Sequence, residues 1–395
     1  MKRDTYFHAC EKIDGCLYVN TFLESAMMKM DLATGQMHFI NGPSIYSFKD
    51  YYWQGGMNIS RWNNTVIQVE NSLKTIACYS IRDDRTEYIR LNGKAFSASV
   101  PNYSLMTIWK DMMFVFPRFS KHVVCFNLKT HKMVKKEISL ILGYEFIDDM
   151  YVLEKALFSC AVQVKNDVWL FSGAESIVVR YSLDTSEQKI YRLPLVISSC
   201  KDIVYEDGVF YIFDSFGGNV LYCWNQNTNS MEIICKLGGN KDYFSRIAVT
   251  KKNVWFLPNR GEDILVYRID VKTLEIYQNY PQDFQYDEFV IGQAHYFGRS
   301  EDDEWYYFAM CAETHMLMIH KITGQAHWLK PLAPSYEERF SIVGRHNGYM
   351  IQESDNFSIQ DFIRLSRVNK RVSQGKFNSG KQIWKVMRGL NDEDL

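Results

Sequence analysis

Four residues of this 395-residue sequence have the types and expected positions that acid–base chemistry on a sugar would need: Glu175, Asp214, Glu313 and His295. A carboxylate pair, or a histidine with an acid, can protonate a leaving group and take a proton in return. In glycan enzymes the two groups come from distant loops and leave no local signature. Five further residues, Trp53, Arg118, Arg246, Arg260 and Arg339, offer an aromatic face and forked guanidinium donors suited to a sugar or a carboxylate. For Arg246 and Arg339 the structural alternative is pairing with a neighbouring acid.

Other chemistries find little support. The sequence has no Gly-rich phosphate loop ending in Lys-Ser/Thr, no G-x-G-x-x-G, no H-E-x-x-H and no G-x-S-x-G. Cys311, His315 and His320, flanked by His295 and His327, are the nearest approach to a metal-ligand spacing, but no C-x-x-C pair accompanies them, and neither a metal nor a cofactor is expected. Forty-five Lys and Arg against 46 Asp and Glu give a net charge of −1, which argues against a protein that tracks phosphate backbones. No apolar run reaches the ~18 residues of a membrane span. The nine cysteines are odd in number and scattered, so they read as reduced core thiols, and the expected compartment is the cytoplasm.

The elements that must position these residues come from an internal repeat. At 47% hydrophobic and 23% charged, the chain has material for a large core and is not a disordered one. The clearest repeat runs from Tyr243 to Tyr277: a lead strand, the turn Lys251-Lys252-Asn253, Val254-Trp255-Phe256-Leu257, a polar loop, Ile264 to Ile269, the turn Asp270-Val271-Lys272-Thr273, and Leu274-Glu275-Ile276-Tyr277. Apolar anchors of the second strand recur at Leu17, Val66, Phe114, Trp169, Phe210, Trp255, Tyr306 and Tyr349, spaced about 47 residues apart on average. A second column, Thr34, Asp83, Thr130, Thr185, Thr228, Thr273, Thr323 and Asn369, follows its anchors by 16 to 20 residues. Each member has a side-chain oxygen able to accept a backbone N–H in a turn.

Four-stranded units repeated eight times, with alternating apolar residues and no regular helices between them, predict an all-β fold: a β-propeller of about eight blades, with seven as the alternative. The turn runs Asp31-Leu32-Ala33-Thr34-Gly35-Gln36, Asn127-Leu128-Lys129-Thr130 and Asp270-Val271-Lys272-Thr273 resemble the strand-turn pattern of kelch-like and quinoprotein-like propellers, a resemblance of architecture that covers residues 6 to about 373. The expected organisation is one propeller domain over residues 1–373 and a tail over 374–395. Phe146, Ile147, Met150, Leu153 and Leu157, after Gly143, predict a short inserted helix lying as a lid. Ser379 followed by Ile383, Trp384, Met387 and Leu390 predicts a C-terminal helix.

In such a ring the loops between second and third strands gather at one face. Seven of the eight carry acid: Glu24, Glu70, Glu175, Asp214, Glu262 with Asp263, Glu313, and Glu353 with Asp355, while Pro117 to His122 is basic. The starts of the innermost strands bring His8, Trp53, Gln54, Tyr103, Lys201, Arg246, His295 and Arg339 toward the same mouth. Two functions follow as expectations. One is a soluble intracellular platform that recognises a protein, a peptide or a small polar ligand at the mouth. The other is a carbohydrate-active enzyme of lyase, hydrolase or mutarotase type using carboxylates in the central funnel.

Overall fold

The computed structural model describes residues 7–21, 27–40, 58–69, 75–90, 103–118, 120–138, 146–147, 150–151, 157–172, 176–238, 243–259, 263–285, 296–310, 315–332 and 334. Seven repeats each fold into their own antiparallel sheet of four strands, paired in chain order. Burial is heaviest in the second strand and, the first sheet excepted, lightest in the outermost. All six residues of the second strand Asp167–Ser172 are buried, whereas the outermost strand Thr273–Ile276 is exposed throughout. The repeat anchors explain this gradient: Leu17, Val66, Phe114, Trp169, Phe210, Trp255 and Tyr306 all lie in second strands and are at most 5% exposed.

Adjacent sheets close face to face through large side chains. Trp169 of the fourth blade meets Phe210 of the fifth with ring centroids 4.8 Å apart, and Phe213 of the fifth meets Phe256 of the sixth at 5.4 Å. Ring pairs of this kind contribute about 0.5–1.5 kcal/mol beyond the area they bury. They account for much of the aromatic 15% of the chain.

The marker column works as a two-part turn device. The backbone N–H of Thr34 donates to Asp31 Oδ1 at 2.8 Å, that of Thr130 to Asn127 Oδ1 at 2.8 Å, and that of Thr228 to Asn225 Oδ1 at 3.3 Å. The threonine hydroxyl then accepts the N–H two residues later, as Gln36 N to Thr34 Oγ1 and Glu187 N to Thr185 Oγ1, both 3.2 Å. In these turns the residue three positions before the marker therefore shares the role that the sequence assigns to the marker alone.

The blade count is seven rather than eight. The inner strand of the seventh blade, Tyr296–Glu301, packs directly on that of the first, Phe7–Ile13, where Lys12 N donates to Ser300 Oγ at 2.9 Å. A Cβ placed on Gly298 would lie 3.0 Å from Cys10 N and 3.1 Å from Ala9 Cα, so the two backbones meet with no room between them. Outside this contact, Leu332 forms a parallel bridge with Gln36, and its N–H donates to Gly35 O at 2.8 Å. The circle is thus complete by residue 332, and the eighth copy of the pattern, with Tyr349 and Asn369, lies outside the described residues. The helical reading of the insertion is also corrected: Phe146–Ile147 pairs with Met150–Tyr151 as a two-stranded antiparallel ladder. The segment from Ser379 expected to form a C-terminal helix lies outside the described residues.

Candidate functional site

The seven inner strands enclose an axial channel of about 580 Å³. In six sheets the first strand carries a register shift near its start, where one extra residue stands against its partner: His8, Ser104, Ser159, Lys201, Ser245 and Phe297. A bulge breaks the strict alternation of a strand and re-aims side chains. At these shifts Ser159 with Cys160, Lys201 with Asp202, and Ser245 with Arg246 line the channel.

Because all seven sheets share one strand order and the inner strands neighbour one another around the ring, the bulged starts gather at one end of the channel. Arg118, Lys201 and Arg246 line this end, which we call the mouth. Burial, together with the like charge of Arg246, lowers the Arg118 pKa. Further along the wall stand Glu11, Ser300 and Glu301, the last bonded to Lys321 at 2.6 Å.

Asp202 joins three blades. Its Oδ2 accepts from Arg299 Nη1 at 2.6 Å and from Ile247 N at 2.8 Å, and its Oδ1 accepts from Arg246 Nη1 at 3.3 Å. Arg299 in turn donates to Ile203 O at 2.6 Å and Ile247 O at 3.0 Å. Burial works against the Arg299 cation, but Asp202 and then Glu301 outweigh it and raise its pKa. Two thiols of the wall are held neutral: burial pushes Cys10 up to about 12 and Cys200 well above the usual thiol range. A neutral buried thiol is a poor nucleophile.

Glu11 lines the channel with its carboxyl shifted toward neutrality. Burial raises its pKa to about 7; the hydrogen bond from Ser300 opposes that shift, and the charge of Glu301 adds to it. The folded chain therefore keeps a proton between about pH 4.5 and 7 that the unfolded chain has released, so stability falls as pH rises through this window. Replacing Glu11 by Gln should flatten that slope, removing a difference on the order of 1–3 kcal/mol between its ends. Thermal unfolding of both proteins across the window checks this, and an unchanged slope would locate the titration elsewhere.

Phe216 reaches the mouth on a fixed turn. Asp214, 1% exposed, accepts from Ser198 N at 2.6 Å, Ser199 N at 3.2 Å and Gly217 N at 2.7 Å. A side chain at Gly217 would overlap the Asp214 carboxylate, so the turn tolerates only glycine there. Phe216 lines the channel and is 44% exposed.

Among the candidate residues read from the sequence, Arg118 and Arg246 line the channel together. Asp214 is not among the channel-lining residues; its carboxylate holds the turn. Glu175, Glu313, His295, Trp53, Arg260 and Arg339 lie outside the described residues. Of the metal-spaced group, Cys311 also lies outside them, His315 Nε2 stands 3.2 Å from Asp283, and His320 Nδ1 accepts the N–H groups of Ile322 and Thr323. Among the described residues no three His, Cys, Asp or Glu side chains gather as a metal site would require. Asp202, Arg299, Glu11 and Phe216 escaped the sequence reading. The first two follow a bulge, and a period-2 count assigns such residues to the wrong face.

These features define a seven-bladed β-propeller with a charged axial channel. No protein-family model and no curated protein matches the sequence. Solved structures do match. PorZ, a surface component of the type-IX secretion system of Porphyromonas gingivalis, is 8% identical with a TM-score of 0.51, covering 85% of this chain and 39% of its own. The extracellular domain of BT4673 from B. thetaiotaomicron is 10% identical with a TM-score of 0.51, covering 78% of this chain and 38% of its own. BamB from Moraxella catarrhalis is 10% identical with a TM-score of 0.45, covering 77% of this chain and 81% of its own. The chain spans about two fifths of the PorZ and BT4673 chains, and at these identities the likeness is one of fold.

Proposed function

We propose that the protein is a recognition module that receives a small polar ligand, or a polar segment of a partner, in the mouth of its axial channel. One observation carries this reading: the channel, about 580 Å³ and so of the size that ligands occupy, is lined among the described residues by four cations and three acids. The cations are Arg118, Lys201, Arg246 and Arg299; the acids are Glu11, Asp202 and Glu301. A rigid ring presents them with little conformational freedom left to lose on binding. The eight described cysteines, all free thiols, support a reducing compartment such as the cytoplasm.

Thermal-shift screening of monosaccharides and uronic acids, alongside unbiased co-purification, tests the reading. A shift lost in Arg118→Gln and Lys201→Gln variants that still fold is the expected result. A ligand shift that survives both changes would move recognition away from the mouth.

Glu11 favours one further reading. A carboxyl protonated near neutrality, lining the same channel as Glu301, has the character of a general acid, which supports carbohydrate-active chemistry in the channel. Release of reducing ends from oligosaccharides by the native chain, abolished in Glu11→Gln, would establish it; no turnover by the native chain would remove it.

A further inference from the structure

We infer that Cys160 and Cys200 form an oxidisable dithiol in the channel wall, which a hydroperoxide converts to a disulfide joining the inner strands of the fourth and fifth blades. This modification site goes beyond the recognition reading above and stands whether or not that reading does.

The fold brings together two cysteines that lie 40 positions apart in the chain. Cys160 follows the extra residue Ser159 of the strand Phe158–Val164, and Cys200 opens the strand Cys200–Glu206 of the next blade. Both are buried and both line the channel. Cys160 Sγ donates to Cys200 O at 3.1 Å, and Cys200 Sγ donates to Asp202 O at 3.6 Å. Burial raises the Cys200 pKa well above the usual thiol range, and a hydrogen bond with the Cys160 thiol, which sets sulfur beside sulfur, raises it further. Cys10, also on the wall, donates instead to Tyr307 O at 3.8 Å in the seventh blade.

The surroundings give the two thiols different roles. Asp202 and Asp214 add their charge to what keeps Cys200 protonated. A thiolate at Cys160 acts favourably on the cations of Arg118 and Arg299, while Arg299 keeps its bond to Asp202. Cys160 is therefore the thiol that attacks. Ser159 Oγ, buried on the same stretch of wall with no hydrogen-bond partner among the described residues, is placed to bond a peroxide oxygen.

With hydrogen peroxide the steps balance. The Cys160 sulfur attacks one oxygen, an S–O bond forms, the O–O bond breaks, and the departing hydroxide takes up the Cys160 proton as water. The Cys200 sulfur then attacks the sulfenic sulfur, an S–S bond forms, the S–O bond breaks, and the hydroxyl leaves as water with the Cys200 proton. Two thiols lose two electrons in all, and one peroxide is reduced to two waters. A neutral Cys200 is a poor nucleophile, but its attack is intramolecular and the fold holds the two sulfurs together.

The test treats the folded full chain with hydrogen peroxide, unfolds it with an alkylating agent to cap the remaining thiols, and maps the peptides by mass spectrometry. One linkage, Cys160 to Cys200, should exceed every other pairing by about tenfold or more and disappear with dithiothreitol. The same treatment in urea, where no fold selects a pair, should scatter linkages among the cysteines. Cys200→Ser should stop at a sulfenic acid on Cys160 that dimedone traps, and Cys160→Ser should give neither the linkage nor an adduct at Cys200. Where a variant does not fold, the linkage map of the native chain decides. A dominant linkage through Cys10, a dimedone adduct on Cys200 in Cys160→Ser, or a folded chain with both thiols still free at peroxide levels that link the urea-unfolded chain would overturn the inference.

Discussion

Replacing Asp202 by alanine is expected to destabilise the protein by about 3–5 kcal/mol, the range for removing one partner of a buried ion pair. The Asp202 side chain is 5% exposed and that of Arg299 is 14% exposed, so the guanidinium left behind would have little access to water. Its bonds to Ile203 O and Ile247 O would remain, but those carbonyls bring no compensating charge. Ile247 N and one Arg246 donor would lose their acceptor in the same step. The loss falls on inner strands of the fifth, sixth and seventh blades together. Urea unfolding measures it through a lower midpoint. A double variant, Asp202→Leu with Arg299→Met, should recover part of the loss, because the orphaned charge leaves with its partner. A single variant with an unchanged midpoint would show that the clasp contributes nothing net.

The second large effect lies at the seam between the last and first blades. Gly298→Ala puts a methyl group 3.0 Å from Cys10 N and 3.1 Å from the Ala9 carbonyl carbon and Cα. These are backbone atoms of a paired strand and cannot rotate away as a side-chain end can. Overpacking of this kind costs about 1–3 kcal/mol, and Gly298→Val should exceed it. Gly15, which has nothing within 4 Å of the corresponding position, is the internal control, and Gly15→Ala should be near neutral. Equal midpoints for the alanine variants at 298 and 15 would mean that the two strands are not in the contact described.

The parts of this molecule that were legible in the sequence are those set by local physics. A second strand packed on both faces needs an uninterrupted apolar run, so Trp169, Phe210 and Trp255 announce their places. A tight turn needs polar side chains at fixed offsets, so Thr34 and Thr130 mark theirs. The number of blades is different in kind: it is set by how far each sheet turns relative to the last, and the contact that closes the circle, Gly298 against Ala9, joins residues whose spacing carries no local signal. An additional copy of the pattern, around Tyr349, therefore read as an additional blade. The channel residues were half legible. Arg118, Lys201 and Arg246 were found through the mouth loops and strand starts, but their neighbours Asp202 and Arg299 are 97 residues apart, and bulges place them on the channel against a simple alternation.

The parallel bridge between Gln36 and Leu332 also bears on how the molecule comes into being. Hairpins within one sheet can form from neighbouring chain, but this join must wait until almost 300 residues have followed the first blade off the ribosome. Until then the nascent product is an open crescent, with the greasy flank of its earliest sheet facing solvent, and such intermediates are the ones that chaperones shield and aggregation captures.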